Sequence, residues 1–176
     1  VLYTHRSTVL HALGTLHSGA LDIGRDSVIL PVVPMFHVNA WGTPYSAAMS
    51  GAKLVLPGAG MDGKSLHELI DGEQATLLLG VPTVWLGLLN YLDSISARME
   101  SVQHVVVGGS AAPLAMIRAF DEKHDAFLIH AWGMTEMSPL GTLCTLKNKL
   151  LALPKDAQTA IRLKQGRAIF GVDMKI

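Results

Sequence analysis

Gln103-His104-Val105-Val106-Val107-Gly108-Gly109-Ser110-Ala111-Ala112-Pro113 is the stretch on which the fold turns. A β-branched run of strand length passes through two glycines and three small residues into a proline suited to a first helical turn. The spacing then predicts a helix over 113–123 and a second apolar strand over 126–130. The same order recurs towards the N-terminus. Helices are expected at 7–21 (Thr4 or Ser7 as N-cap), 41–50, 65–72 and 83–94, the last opened by Pro82. Strands are expected at 27–33, 53–56, 76–81 and 103–107. After Thr145 a Leu- and Lys-rich stretch has no clear period, and 167–176 reads as paired short strands. Apolar strands alternating with helices predict an α/β fold, a mainly parallel sheet with helices on both faces. Ligands of such sheets bind outside the carboxyl ends of the strands. Three segments qualify: 34–41, 108–113 and 131–138.

Composition narrows the class. Hydrophobic residues make up 49% of the 176 and charged residues 16%, with a mean hydropathy of +0.35; soluble domains usually carry nearer a quarter charged. The longest apolar runs, Val28 to Phe36 and Thr76 to Val84, are short and broken by Pro or Gly, so neither spans a bilayer. The composition is therefore read as that of a central fragment, 1–176, whose apolar surfaces meet further chain. The start is neither a signal peptide nor an initiator Met. The end stops within strand-like alternation, and both ends are expected to lie inside a longer protein. Equal numbers of acidic and basic residues leave no footprint for nucleic acid. The lone Cys144 excludes an internal disulfide framework and a thiolate zinc site, and suits a cytoplasmic setting, with peripheral membrane attachment left open.

Each of the three loops has a chemical reading and a plain one. Gly108 to Pro113 lets backbone approach a flat ligand or a phosphate closely, or is simply a tight strand-to-helix turn. No Gly-Lys-Ser/Thr follows it and no third glycine is correctly spaced, so it is neither a Walker A loop nor a dinucleotide fingerprint. In Ala131-Trp132-Gly133-Met134-Thr135-Glu136-Met137-Ser138 an aromatic plane, a hydroxyl and a carboxylate fall within five positions. Glu136 is the only acidic residue between Asp125 and Asp156, and one carboxylate beside phosphate oxygens is a usual way to hold Mg²⁺. The plain reading is a surface loop with a buried Trp. In Pro34-Met35-Phe36-His37-Val38-Asn39-Ala40-Trp41-Gly42, His37 and Trp41 stand one helical turn apart if a helix begins there, lining an apolar channel or packing in the core. His5, His11 and His17 are six apart, scatter round a helix and read as structural residues rather than a metal site.

In this order the three loops resemble the adenylate-forming superfamily of acyl-CoA synthetases, luciferases and peptide-synthetase adenylation domains. The resemblance runs from Tyr3-Thr4-His5-Arg6-Ser7 to Gly171-Val172-Asp173, and Trp132 to Glu136 is similar to the family's aromatic-Gly-x-Thr-Glu motif. It implies a nucleotide site of Ser110, Ala111, Ala112, Pro113, Ala131, Trp132, Gly133 and Thr135, with Trp132 against adenine and Thr135 on the α-phosphate. It implies Glu136 as the Mg²⁺ ligand, Thr135, Glu136 and His37 as the catalytic group, and an acyl pocket of His37, Val38, Trp41, Gly42 and Gly109, with Trp41 as its gate. Phe36 to Trp41 together with Gly80 to Trp85 imply medium- to long-chain fatty acids, although relatives with the same loop also activate methylthiopropionate. The implied partners are a small carboxylic acid, ATP and CoA, and a homodimer is allowed.

The family's phosphate loop normally lies just before the position of Val1. Its ribose-holding segment, hinge and Lys-bearing C-terminal domain follow that of Ile176. The chain alone is therefore expected to be inactive. A carrier-protein-loading adenylation domain predicts an Asp near 36–39, and none is present. A non-catalytic binding module stays open, and a nicotinamide-binding domain lacks its glycine fingerprint.

Overall fold

The computed structural model describes residues 1–175. Its centre is a seven-stranded sheet of order β2-β1-β3-β4-β5-β6-β7. β1 (Val28–Pro31), β2 (Lys53–Leu54), β3 (Leu77–Gly80), β4 (His104–Val107) and β5 (Phe127–Gly133) pair in parallel. β6 (Leu140–Leu143) and β7 (Arg167–Ala168) extend the sheet antiparallel. Helices cover both faces, as the α/β pattern predicts. On one face α4 (Gly63–Glu73), α5 (Pro82–Ile95) and α6 (Leu114–His124) bury Leu78, Val105, Val107 and Leu128. Trp85 of α5 is fully buried there, its indole N–H donating to the Val106 carbonyl at 3.4 Å, so this part of the Gly80 to Trp85 unit is core. On the other face α1 (His5–Leu16) and α3 (Thr43–Ser50) lie over Ile29, Leu77, Leu79, Val106 and Ile129. No helix among the described residues is long and apolar enough to cross a membrane.

Four local expectations change. α1 is capped by Thr4, whose hydroxyl accepts from the Ser7 N–H at 3.0 Å, but it ends at Leu16 rather than 21. His17 turns extended, and its Nδ1 accepts the Gly19 N–H at 2.9 Å, which starts a loop instead of another turn. β5 runs three residues beyond 130, because β6, which the sequence reading does not anticipate, returns to pair with it. The helix expected from Trp41 begins at Thr43; before it stands α2 (Val38–Trp41), one turn in which all four residues have positive φ, 50, 53, 50 and 57°. Of the paired strands expected over 167–176 only β7 forms, and Ile176 lies outside the described residues.

The Lys- and Leu-rich stretch folds as α7 (Asn148–Leu151) and α8 (Lys155–Arg162). α8 is fastened by one side chain. Arg162, 4% exposed, forms a two-point ion pair with Asp121 of α6, one contact at 2.9 Å, and donates to the Leu128 carbonyl at 3.2 Å. Its guanidinium carbon stands 4.0 Å from the Phe127 ring centroid. A planar fork satisfies a carboxylate, a carbonyl and a ring face at once, which an ammonium does not. Arg162→Ala is expected to lower unfolding free energy by about 3 kcal/mol in urea denaturation, with Arg162→Lys recovering less than half. Equal stability of the three proteins would remove Arg162 as the anchor of α8.

Candidate functional site

β3 and β4 end at the same level, Gly80 pairing with Val107, and β5 pairs with them up to His130 before running on to Gly133; the three loops meet above these ends around a cavity of about 330 Å³. His37, Val38 and Trp41 enter from one side, Gly108 and Gly109 from the middle, and Ala131 to Glu136 from the other. Leu79, Val106 and Leu143 make an apolar floor. Trp41 lies over Gly108, where a Cβ would come within 3.0 Å of the indole. Glycine there lets the ring approach the β4 loop closely. The Trp132 ring and the end of Met137 both crowd Gly141, where a Cβ would come within 2.7 and 2.9 Å of them.

The third loop is a backbone clamp. β5 and β6 shift register between Trp132 and Gly133, and a Cβ at Gly133 would fall 2.2 Å from the Pro139 carbonyl oxygen, so only glycine fits. The Met134 N–H donates to that same oxygen at 2.9 Å. Thr135, Glu136 and Met137 form a single 3₁₀ turn with both polar side chains exposed. A residue outside all three loops holds this turn: the Tyr3 hydroxyl donates to the Thr135 carbonyl at 2.5 Å. Burial, and then the charge of Glu136, push the Tyr3 phenol up from its ordinary value.

Not every expected residue faces the cavity. Ser110 and Ala111 are exposed beyond its rim, Pro113 caps α6, and Ala112 is buried. The Ala112 N–H donates to His130 Nε2 at 3.3 Å. His130 is 1% exposed on the opposite sheet face from Ala131, and by accepting that N–H it ties the glycine loop to β5. Burial lowers its imidazole below the ordinary value, with the backbone of Leu163 and Arg162 opposing. Gly42 likewise turns away, its Cα packed against the His11 ring. Tyr3 and His130 escaped the sequence reading. The one available signal was His130 as the sole polar residue in the apolar run 126–131.

Among the described residues, no group of three His, Cys, Asp or Glu is placed to hold a metal. Glu136 alone is a carboxylate on the cavity wall. One carboxylate suits Mg²⁺ whose remaining ligands are water and phosphate oxygens, not a metal held by protein alone.

The family model described as AMP-binding enzyme matches residues 1–176. The chain is 53% identical over its whole length to a medium-chain-fatty-acid–CoA ligase of Ectopseudomonas oleovorans, of which it covers 32%. It is 49% identical, again over its whole length, to a 3-methylmercaptopropionyl-CoA ligase of Ruegeria lacuscaerulensis, covering 33%. The chain thus spans about a third of the length of these relatives. In fold it is similar to the N-terminal domain of FACL13 from Mycobacterium tuberculosis, with a TM-score of 0.78 and 24% identity over 97% of this chain and 40% of that one.

The site's back wall depends on His11, 8% exposed, whose Nε2 accepts the Leu140 N–H at 3.2 Å and so joins α1 to β6. Burial lowers its pKa to about 4. Because the folded value lies below the ordinary 6.5, the unfolded chain binds the extra proton first. Stability is therefore complete above about pH 6.5 and is lost as pH falls towards 4. The gap corresponds to roughly 3 kcal/mol at most. His11→Gln, which keeps an acceptor but does not titrate, is expected to flatten that part of the stability profile in denaturation from pH 7 to 4. An unchanged slope would show that His11 takes up its proton without unfolding.

Proposed function

The chain belongs to the AMP-binding enzyme family, and from that premise we propose that it is the central part of the large domain of a fatty acid–CoA ligase. In the longer protein a phosphate loop precedes it, and a ribose-holding segment and a Lys-bearing domain follow. The observation that carries this reading is that the acyl-side residues His37, Val38, Trp41 and Gly109 and the nucleotide-side residues Trp132, Thr135 and Glu136 share one cavity with an apolar floor.

The reaction has two halves. A fatty carboxylate oxygen bonds to the α-phosphorus of ATP as the bond to pyrophosphate breaks, giving an acyl-adenylate. The CoA thiolate then attacks the acyl carbon and AMP leaves. Within this chain the Trp132 ring offers a stacking face for adenine, the Thr135 hydroxyl donates to an α-phosphate oxygen, and His37 lies beside the acid's carboxylate. Glu136 would hold Mg²⁺, which would supply charge stabilisation to the phosphates. Ser110 to Pro113 serve by anchoring the Gly108–Gly109 loop, Ala112 through its bond to His130 and Pro113 as the cap of α6, and Gly42 serves through its packing on His11.

A medium-chain fatty acid is the proposed substrate. The floor of Leu79, Val106 and Leu143 suits an alkyl tail, and the similarity to the Ectopseudomonas ligase supports it. Octanoate-dependent ATP–pyrophosphate exchange by the full-length gene product is the test. Glu136→Ala is expected to lower kcat/KM by about 100-fold or more, the scale set by losing a transition-state charge contact. The 176-residue chain alone should give no exchange. Exchange with methylmercaptopropionate in place of octanoate would move the substrate to short thioether acids, and undiminished exchange by Glu136→Ala would remove Glu136 from the metal site.

A further inference from the structure

The sheet face under α1 and α3 carries two cavities, set one behind the other along the strands. Residues two apart on a strand point the same way, so β4 presents Val106 and then His104, and β5 presents Ala131 and then Ile129. β6 runs in the opposite direction and presents Leu143 and, just past its end, Thr145. The first member of each pair lines the site already described. The second member of each lines another cavity of about 190 Å³, whose apolar walls include Phe127 and Leu151. Leu21 borders both. It is 6% exposed and packs among Val106, Ile129, Ala131 and Leu143.

Leu21 reaches this position because α1 stops at Leu16 and the chain turns back across the sheet. The turn is fixed by backbone, not by the leucine side chain. The Leu21 N–H donates to the Thr15 carbonyl at 3.2 Å, and Ala20 and Asp22 both donate to the His17 carbonyl, at 2.9 and 3.3 Å. The Thr145 hydroxyl donates to the Gly19 carbonyl at 3.0 Å. A shorter side chain at position 21 is therefore expected to join the two cavities while these backbone bonds stay in place.

The geometry points to Leu21 as the stop that sets acyl-chain length: the first cavity holds the carboxyl end and the nearer methylenes, and Leu21 closes the second cavity to longer chains. This rests on the acyl reading of the first cavity proposed above. The apolar part of the second cavity's wall, Phe127, Ile129 and Leu151, is the kind of surface a terminal alkyl segment buries against, while Ser18, Asp22, His104 and Thr145 make another part of the wall polar; its contribution appears only for acids long enough to pass position 21.

The test compares kcat/KM for straight-chain acids from butyrate to palmitate in the full-length gene product. Leu21→Ala is expected to raise the palmitate-to-octanoate ratio by roughly ten-fold or more, the scale of two further buried methylenes. Leu21→Phe should shorten the preferred acid. Ser18→Phe, at an exposed position on the wall of the second cavity, should cancel the gain when added to Leu21→Ala. If Leu21→Ala proves poorly folded by its thermal melt, Leu21→Val is expected to give a smaller change of the same sign. Fatty-acid-dependent exchange with one length profile across the folded variants overturns the role of Leu21 and leaves the ligase reading standing. Absence of fatty-acid-dependent exchange in the unsubstituted protein overturns both.

Discussion

β5 outruns its parallel neighbour, and the site depends on how its exposed backbone is then satisfied. Up to His130 its partner is β4. Beyond that point N–H and C=O groups left unpaired at a partly buried edge carry a penalty comparable to lost hydrogen bonds. On the edge of β5 that faces away from β4, β6 satisfies such groups by returning antiparallel, Ala131 opposite Leu143 and Trp132 opposite Thr142. The reversal between the two strands has to be tight, and the contact of Gly133 with the Pro139 carbonyl makes it so. Trp132 is thereby placed on a strand rather than on a free loop, and the Thr135–Glu136 turn hangs from its end. A sheet that ended at β5 would leave these residues without a fixed position.

The opposite wall of the cavity is built at a local cost. Residues 38–41 all take positive φ, and Asn39 and Ala40 have ψ of 48 and 47°, the values of a left-handed helix. For L-residues other than glycine this costs roughly 1–2 kcal/mol per residue, and Val38, being β-branched, is the least suited to it. The turn persists because its neighbours over-determine it. Ala40 is fully buried, the Thr43 hydroxyl donates to the Ala40 carbonyl at 2.9 Å, and the Trp41 ring is seated on Gly108. Strain of this kind concentrates where a side chain must be aimed against the chain's own preference. Here it aims Trp41 across the sheet edge towards the glycine loop.

How much of this was legible follows from range. The parallel sheet, its five parallel strands and the three loops at their carboxyl ends are written in local periodicity and in glycine and proline placement, and the structure has them there. The sign of φ at Val38-Asn39-Ala40-Trp41 is not, because none of the four is glycine and their spacing suits an ordinary helix. β6 is four residues with a glycine inside, too short for alternation to register. The tie from Tyr3 to Thr135 spans 132 positions, and that from His130 to Ala112 crosses to the other sheet face, so neither leaves a local trace. The same limit applies to Gly42 and to Ser110 through Pro113. Motif membership put them near the site, but which way each faces depends on His11 and His130, which lie in other elements.

The two sheet faces divide the work in a way that explains why the cavity lies under α1 and α3. Under α4, α5 and α6 the face is filled by large apolar side chains, with Trp85 and Phe120 fully buried, at the close packing usual of protein interiors. Under α1 and α3 the helices bring smaller and polar residues. Thr15 and Ser46 share a buried hydroxyl–hydroxyl bond of 2.7 Å, and His11 reaches to β6. Directional bonds of this sort pin two helices at a set separation without filling the space between them. The apolar face can therefore supply most of the stability, while the pinned face keeps an open volume whose shape depends on a few side chains. Leu21 is one of these, and its loop is held by backbone bonds as well as by its side chain.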